Sequence, residues 1–207
     1  MKQFKIRPSS MGKIMGKLDK NGELPKTCTT YLKEWYADSY EEVTSKYMTK
    51  GLLMEDRAID FMAEQLGYGL AEKNINIYSN EWCVGTPDVI QENTVIDIKC
   101  SWSKKTLHDS IELNKDYEYQ LRAYMWLLNG QVDTAILFYA LMDTPAEANF
   151  GVEISYEHLP AKERWLAFGF TRDLEIEEQM RERVELCREW LEEYDAEVKK
   201  KLGKINK

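Results

Sequence analysis

Apolar positions along the chain follow two periods. From Asp173 to about Lys201 they stand at Ile176, Met180, Val184, Cys187, Leu191, Tyr194 and Val198. Those steps of three and four define one long amphipathic helix. The same period runs from about Thr49 to Leu66, with Gly67 placed to close the helix as a left-handed residue, and again over residues 115–129. Residues 8–37 read as mostly helical, broken by the turn-like Lys20-Asn21-Gly22. Short β-type runs lie between, at Ile75–Tyr78, Asp88–Ile90, Val95–Ile98, Ala135–Tyr139 and Val152–Tyr156. This order predicts an α/β or α+β fold, a sheet flanked by helices. No repeat, low-complexity tract or linker interrupts it. The expected organisation is one domain over residues 1–172, with an amphipathic acidic helix (residues 173–207) packed on it or at a subunit interface.

Composition narrows the class. With 43% hydrophobic residues among 207 a packed core is easily supplied, which excludes wholesale disorder. No apolar run approaches the ~18 residues of a membrane span, and no signal-peptide pattern opens the chain. Cys28, Cys83, Cys100 and Cys187 are far apart, and there are only two histidines, so a His-rich metal site has little support. Free thiols in a reducing cytoplasm are expected.

The net charge of −8 argues against nucleic-acid binding until its distribution is considered. Residues 173–197 carry eleven acidic and three basic side chains, which alone equals the whole-chain excess. Residues 1–20 carry six basic groups against Asp19, and residues 198–207 add five lysines. Local patches, not overall charge, decide whether phosphate can approach.

The chemistry concentrates between Gly85 and Lys99. With Glu92-Asn93 as a two-residue hairpin loop, Gln91 pairs with Thr94, Ile90 with Val95, Val89 with Ile96 and Asp88 with Asp97. Paired residues share a face with Cβ atoms ~4.5–5.5 Å apart. Lys99, two residues beyond Asp97, joins that face. Two opposed carboxylates are costly unless something positive lies between them, and Mg²⁺ seeks such oxygens with open water positions. The plainer alternative is a surface hairpin with a solvated Asp97–Lys99 pair. Glu55 shares a stripe with Ile59, Met62 and Leu66. It is either an acid aimed at the same site or a stripe-edge residue paired with a lysine. Gln120 and Tyr124, four apart on the helix after the strands, share a face with Tyr117. That face either supports the site or simply packs through Tyr117, Leu121, Tyr124 and Leu128.

The set Gly51-x-x-x-Glu55, Pro87-Asp88, Asp97-Ile98-Lys99 and Gln120-x-x-x-Tyr124 resembles the PD-(D/E)XK nuclease superfamily. More narrowly, it is similar to the branch of lambda-type viral alkaline exonucleases (YqaJ-like) and RecB-like nuclease domains, over roughly Arg7 to Tyr139. The resemblance implies a restriction-endonuclease-like core with a mixed central β-sheet over residues 1–172. It implies Asp88, Asp97 and the main-chain carbonyl of Ile98 as metal ligands, with Glu55 ligating directly or through water. Lys99 would position or activate the attacking water, and Gln120 would support the site with Tyr124 beside it. Arg7, Ser9 and Ser10 match a segment that helps bind a 5′ phosphate in that branch; helix N-capping by serine is the plainer reading.

The implied activity is Mg²⁺-dependent hydrolysis of DNA to 5′-phosphate products, with Mn²⁺ as a substitute. A 5′–3′ exonuclease on linear duplex DNA in phage recombination or DNA processing is the expectation. An endonuclease or single-strand nuclease on the same core, and a non-catalytic DNA-binding module, are the alternatives. The branch further implies a ring-like homotrimer and a single-strand annealing protein as partner, with no membrane. Only Cys187 lies late in the chain, so no iron–sulfur cluster is expected.

Overall fold

The structure is a computed structural model that describes residues 2–39 and 45–205. An extended N-terminal segment leads through a 3-10 turn (Pro8–Ser10) into the short helix α1 (Met11–Ile14), then α2 (Lys26–Tyr36) and α3 (Lys46–Leu66). A two-stranded ribbon, β1 (Tyr78–Ser79) with β2 (Val84–Gly85), precedes the hairpin β3 (Val89–Gln91) and β4 (Thr94–Cys100). Helices α4 (Lys104–Asp109) and α5 (Lys115–Leu127) cross over to β5 (Thr134–Ala140), which runs parallel to β4. Antiparallel β6 (Trp165–Thr171) completes a four-stranded sheet of order β3-β4-β5-β6, and α6 (Leu174–Ile205) follows.

Strand alternation divides the core into two layers. Val95 of β4 and Ala135, Leu137 and Tyr139 of β5 turn to one face, where α1, α2, α5 and α6 pack. Ile96 of β4 and Phe138 and Ala140 of β5 turn to the other face, against Met54, Ala58, Ile59 and Met62 of α3. This is the mixed sheet flanked by helices, closed by a long C-terminal helix, that the sequence predicts. No helix among the described residues is long and apolar enough to cross a membrane.

Helix α6 is anchored as well as packed. Met180, Val184, Cys187 and Leu191 are fully buried against the α5 face. Arg183 donates to the carbonyls of Ile14 and Gly16 where α1 ends. Arg188 donates to Phe4 O and Glu81 O, at 3.1 and 2.7 Å. The Asp173 carboxylate accepts from the Glu175 and Ile176 amides, capping the helix start. The four cysteines are free thiols, and Cys28 and Cys187 meet at 3.7 Å between α2 and α6.

The opposite layer is tied by a lysine. Lys50 of α3 is fully buried, and its ammonium donates to Ser101 O, Trp102 O and Thr144 Oγ1 at 2.8–3.2 Å. Burial pushes its pKa down to about 8.

Two expected strands need correction, and two elements were not expected. Val152–Tyr156 is not a strand: Ile154 makes a single bridge to Thr144, because β6 already occupies the sheet edge beside β5. The true last strand, Trp165–Thr171, carries Gly169 in its interior and was not expected. Helix α4 arises from a Ser103–Thr106 capping box that was also not expected. Of Ile75–Tyr78 only Tyr78 enters a strand; Ile75 and Ile77 are 81% and 75% exposed. Gly67 closes α3 at φ 76°, as expected.

Replacing Arg183 by Met should strip two carbonyls of a charged donor. A loss of about 2 kcal/mol is expected, seen as a melting temperature lower by roughly 4–8 °C in a chain of this size. Unchanged melting would show that α6 docks through its apolar stripe alone.

Candidate active site

The hairpin forms in the expected register: Gln91 opposite Thr94, Ile90 opposite Val95 and Val89 opposite Ile96. Glu92, first residue of the two-residue loop, takes φ 52°, the left-handed geometry that such a tight connection requires. Asp88 lies just before β3, and its Oδ2 accepts from the Ile98 amide at 2.9 Å. Pro87 is buried beside it. Asn74 braces the approach, its amide donating to Asp88 O at 2.8 Å and its side chain to Pro87 O at 2.9 Å.

Asp97 is 1% exposed, so the solvated ion pair of the plainer reading is excluded. Gln120 of α5 donates to its Oδ1 at 2.6 Å. Its Oδ2 meets the Lys99 ammonium at 2.7 Å, and no well-aligned hydrogen-bond donor reaches it. Lys99 also lies over the Tyr117 ring, 4.9 Å from the centroid. Burial alone would depress Lys99, but the carboxylates of Asp97 and Asp88 outweigh it and hold the pKa above the usual lysine value. Asp88 is shifted oppositely to an ordinary carboxyl. Desolvation, then the charge of Asp97, raises it to about 7 against the pull of the Ile98 amide and Lys99.

Glu55 reaches the neighbourhood from α3, on the other side of the sheet. The buried stripe of that helix runs through Lys50, Met54, Ala58 and Met62, which leaves Glu55 at its edge. There it accepts from Lys73 at 2.6 Å. The lysine-paired alternative therefore describes the structure, although the Glu55 charge still acts on Asp88. Lys73 was missed by sequence reasoning; it faces Val89 through an isolated bridge, which is what brings it to the hairpin.

Tyr124 is buried and donates to Thr86 O at 2.9 Å, fixing the segment before Asp88. The Arg7-Pro8-Ser9-Ser10 segment packs on the same region. A Cβ on Gly85 would fall 2.8 Å from Pro8 Cδ and 3.3 Å from the Tyr124 ring, so only glycine allows that approach. Arg7 and Ser9 are exposed and Ser10 is half-buried. No serine side chain caps the 3-10 turn or α1, so N-capping does not account for Ser9 or Ser10.

Among the described residues, no group of three or more His, Cys, Asp or Glu side chains lies close enough to hold a metal by itself. Asp88, Asp97 and the Ile98 carbonyl nevertheless fit a hard divalent cation that keeps several waters. Two carboxylates are confined together, one of their oxygens lacks an aligned donor, and burial with the charge of Asp97 raises the other carboxyl to a pKa of about 7.

The fold is shared with solved exonucleases. A phage-related exonuclease from Haemophilus somnus 129PT superposes with a TM-score of 0.80 at 24% identity, covering 95% of this chain and 97% of that one. LHK-Exo, an alkaline exonuclease from Laribacter hongkongensis, gives 0.71 at 15% identity over 97% of this chain and 94% of that one, both alone and in complex with dAMP. At these identities the likeness establishes the fold, which is the one that the four motifs imply. No family model and no curated protein sequence matches the chain.

The Asp88→Asn variant, without divalent cation, should melt above the wild type at pH 8. The folded carboxyl titrates above its unfolded value, so the unfolded chain gives up its proton first and stability falls as pH rises from about 4 through 7. At about 1.4 kcal/mol per pH unit, discounted for residual solvent, the gain is about 2 kcal/mol, and it should fade toward pH 5. Equal melting curves at pH 8 would mean that the Asp88 charge is not strained.

Proposed function

We propose that the chain is a metal-dependent deoxyribonuclease that hydrolyses phosphodiester bonds to leave 5′-phosphate ends. We further propose that it acts as a 5′–3′ exonuclease on linear duplex DNA in phage recombination or DNA processing. The observation that carries this reading is the buried Asp97, held by Gln120 on one oxygen and facing Lys99 on the other, with Asp88 beside it across the hairpin. The exonuclease activity named for both solved relatives, and the nucleotide bound by one of them, support the substrate class.

Asp88, Asp97 and the Ile98 carbonyl would hold Mg²⁺, with Mn²⁺ as a substitute. Glu55 would join, directly or through water, once Lys73 releases it. A cation held there supplies charge for the phosphoryl oxygens and acidity for a coordinated water. The protein's own groups do the rest. Gln120 fixes the Asp97 carboxylate so that one oxygen stays turned toward the site. Lys99, kept protonated by its two acidic neighbours, donates to the attacking water or to a phosphoryl oxygen, where it is a fixed charge that needs no reorganisation. Tyr117 under its ammonium and Asp97 beside it limit where that donor points. Arginine cannot replace it, since a planar fork does not fit a point-charge site. Arg7, Ser9 and Ser10, packed beside Tyr124 and Gly85, are suited to a terminal 5′ phosphate.

Digestion of linear and closed circular duplex DNA with millimolar Mg²⁺, by wild type and Asp97→Ala, tests the proposal. Loss of the linear DNA only, reduced by more than about 10³-fold in the variant, is expected. Cleavage of the circle would favour an endonuclease. No cleavage with either Mg²⁺ or Mn²⁺ would reduce the chain to a binding module. Gln120→Leu should retain activity lowered about 10–100-fold, the usual cost of losing a group that orients a ligand. Wild-type rates in that variant would remove Gln120 from the site.

A further inference from the structure

We propose that Lys73 is a resident counter-ion that competes with the divalent cation for Glu55, and so sets how much metal the site requires. The inference rests on the metal-dependent reading above and adds a residue that none of the four motifs contains.

The backbone puts Lys73 where it can compete. After α3 closes at Gly67 the chain returns along the outer edge of the hairpin, where Lys73 makes an antiparallel bridge to Val89. One residue later the Asn74 amide donates to Asp88 O at 2.8 Å, and the Asn74 side chain donates to Pro87 O. Residues 73 and 74 are thus fixed to the same backbone that carries Asp88. Residues facing each other across a bridge share a face of the sheet. Val89 packs in the α3 layer, and so does Ala71, two residues before Lys73. The Lys73 side chain therefore leaves on the α3 side, where Glu55 lies at the edge of the buried stripe. Its ammonium meets Glu55 at 2.6 Å and Asp56 at 4.0 Å. Lys99 occupies the opposite face, on Asp97 and over Tyr117. Each face of the sheet thus supplies one lysine to one acid of the site.

The strength of the contact decides its role. An ammonium and a divalent cation ask for the same carboxylate oxygen, so each weakens the hold of the other. The Lys73 side chain is 42% exposed and that of Glu55 26%. An ion pair this open to water is weak. It is a competitor and not a lock. A cation held also by Asp88 and Asp97 can displace the ammonium, and Asp56, on the next position of α3, offers it a second acid. The charge of Asp88 reaches Lys73 as well, so the lysine acts on more than one of the acids that would hold metal.

The test reads metal binding and not cleavage. Mn²⁺ is titrated into the full chain without DNA, and the free ion is followed by electron paramagnetic resonance. Lys73→Met should bind Mn²⁺ about threefold tighter than wild type, the scale of one partly exposed ion pair. Lys73→Arg, which keeps the charge, should bind no tighter than wild type. In a Glu55→Gln background, Lys73→Met should leave the affinity unchanged, because no contested carboxylate remains. Circular dichroism checks that each variant folds. Equal affinity of wild type and Lys73→Met overturns the proposal. An equal gain in the Glu55→Gln background also overturns it, by showing a general charge effect, as does tighter binding by Lys73→Arg. In those cases, wild-type binding that Asp97→Ala abolishes leaves the metal-site reading standing. Absence of Mn²⁺ binding by both wild type and Lys73→Met overturns the two together.

Discussion

Two carboxylates brought close together repel, and the surroundings of Asp88, just before β3, and Asp97 of β4 answer that repulsion. For two unit charges at the ~5 Å typical of side chains facing each other across a strand pair, an effective dielectric of 20 makes the mutual cost about 3 kcal/mol. A surface hairpin would splay its side chains into water to escape it. Here β4 is clamped between β3 and β5 and covered on both faces, so Asp97 cannot turn away. The chain answers with fixed partial and full charges: the Ile98 amide on Asp88, the Gln120 amide and the Lys99 ammonium on Asp97. Those partners do not offset burial and the Asp97 charge, which together leave the Asp88 pKa raised to about 7.

The hairpin was legible because two independent constraints agree. A two-residue loop fixes the register, and the strand period then fixes which side chains share a face. Helix α5 was legible for the same reason, since a four-residue step delivers Gln120 and Tyr124 to one side. The long-range partners were not. Lys50 and Lys73 look like ordinary helix and loop lysines, and their partners lie 18 to 94 residues away in sequence. No local period announces that a lysine will be buried among carbonyls. Strand β6 and the segment 152–156 show the converse. Val152–Tyr156 alternates like a strand but finds no free edge, whereas Trp165–Thr171 has a weaker pattern and finds one beside β5.

The division of labour between the two faces of the sheet follows from the same geometry. Asp97 and Lys99 project toward α5, the helix that supplies Gln120 and Tyr117, and the 3-10 turn carrying Ser9 and Ser10 packs on that side. The α3 face contributes Glu55 at its margin, and its own lysine holds the loop that follows Lys99. The catalytic candidates thus sit where the hairpin end, α5 and the N-terminal segment converge.

The anchoring of α6 sets the order in which this chain can become a folded protein. Its arginines hold carbonyls of residues 4, 14 and 16, and its apolar stripe seals the face of the sheet that carries Asp97. These contacts close loops of some 170 residues, the slowest kind to form. During synthesis Phe4, Ile14 and this face of the sheet stay uncovered until α6 has left the ribosome.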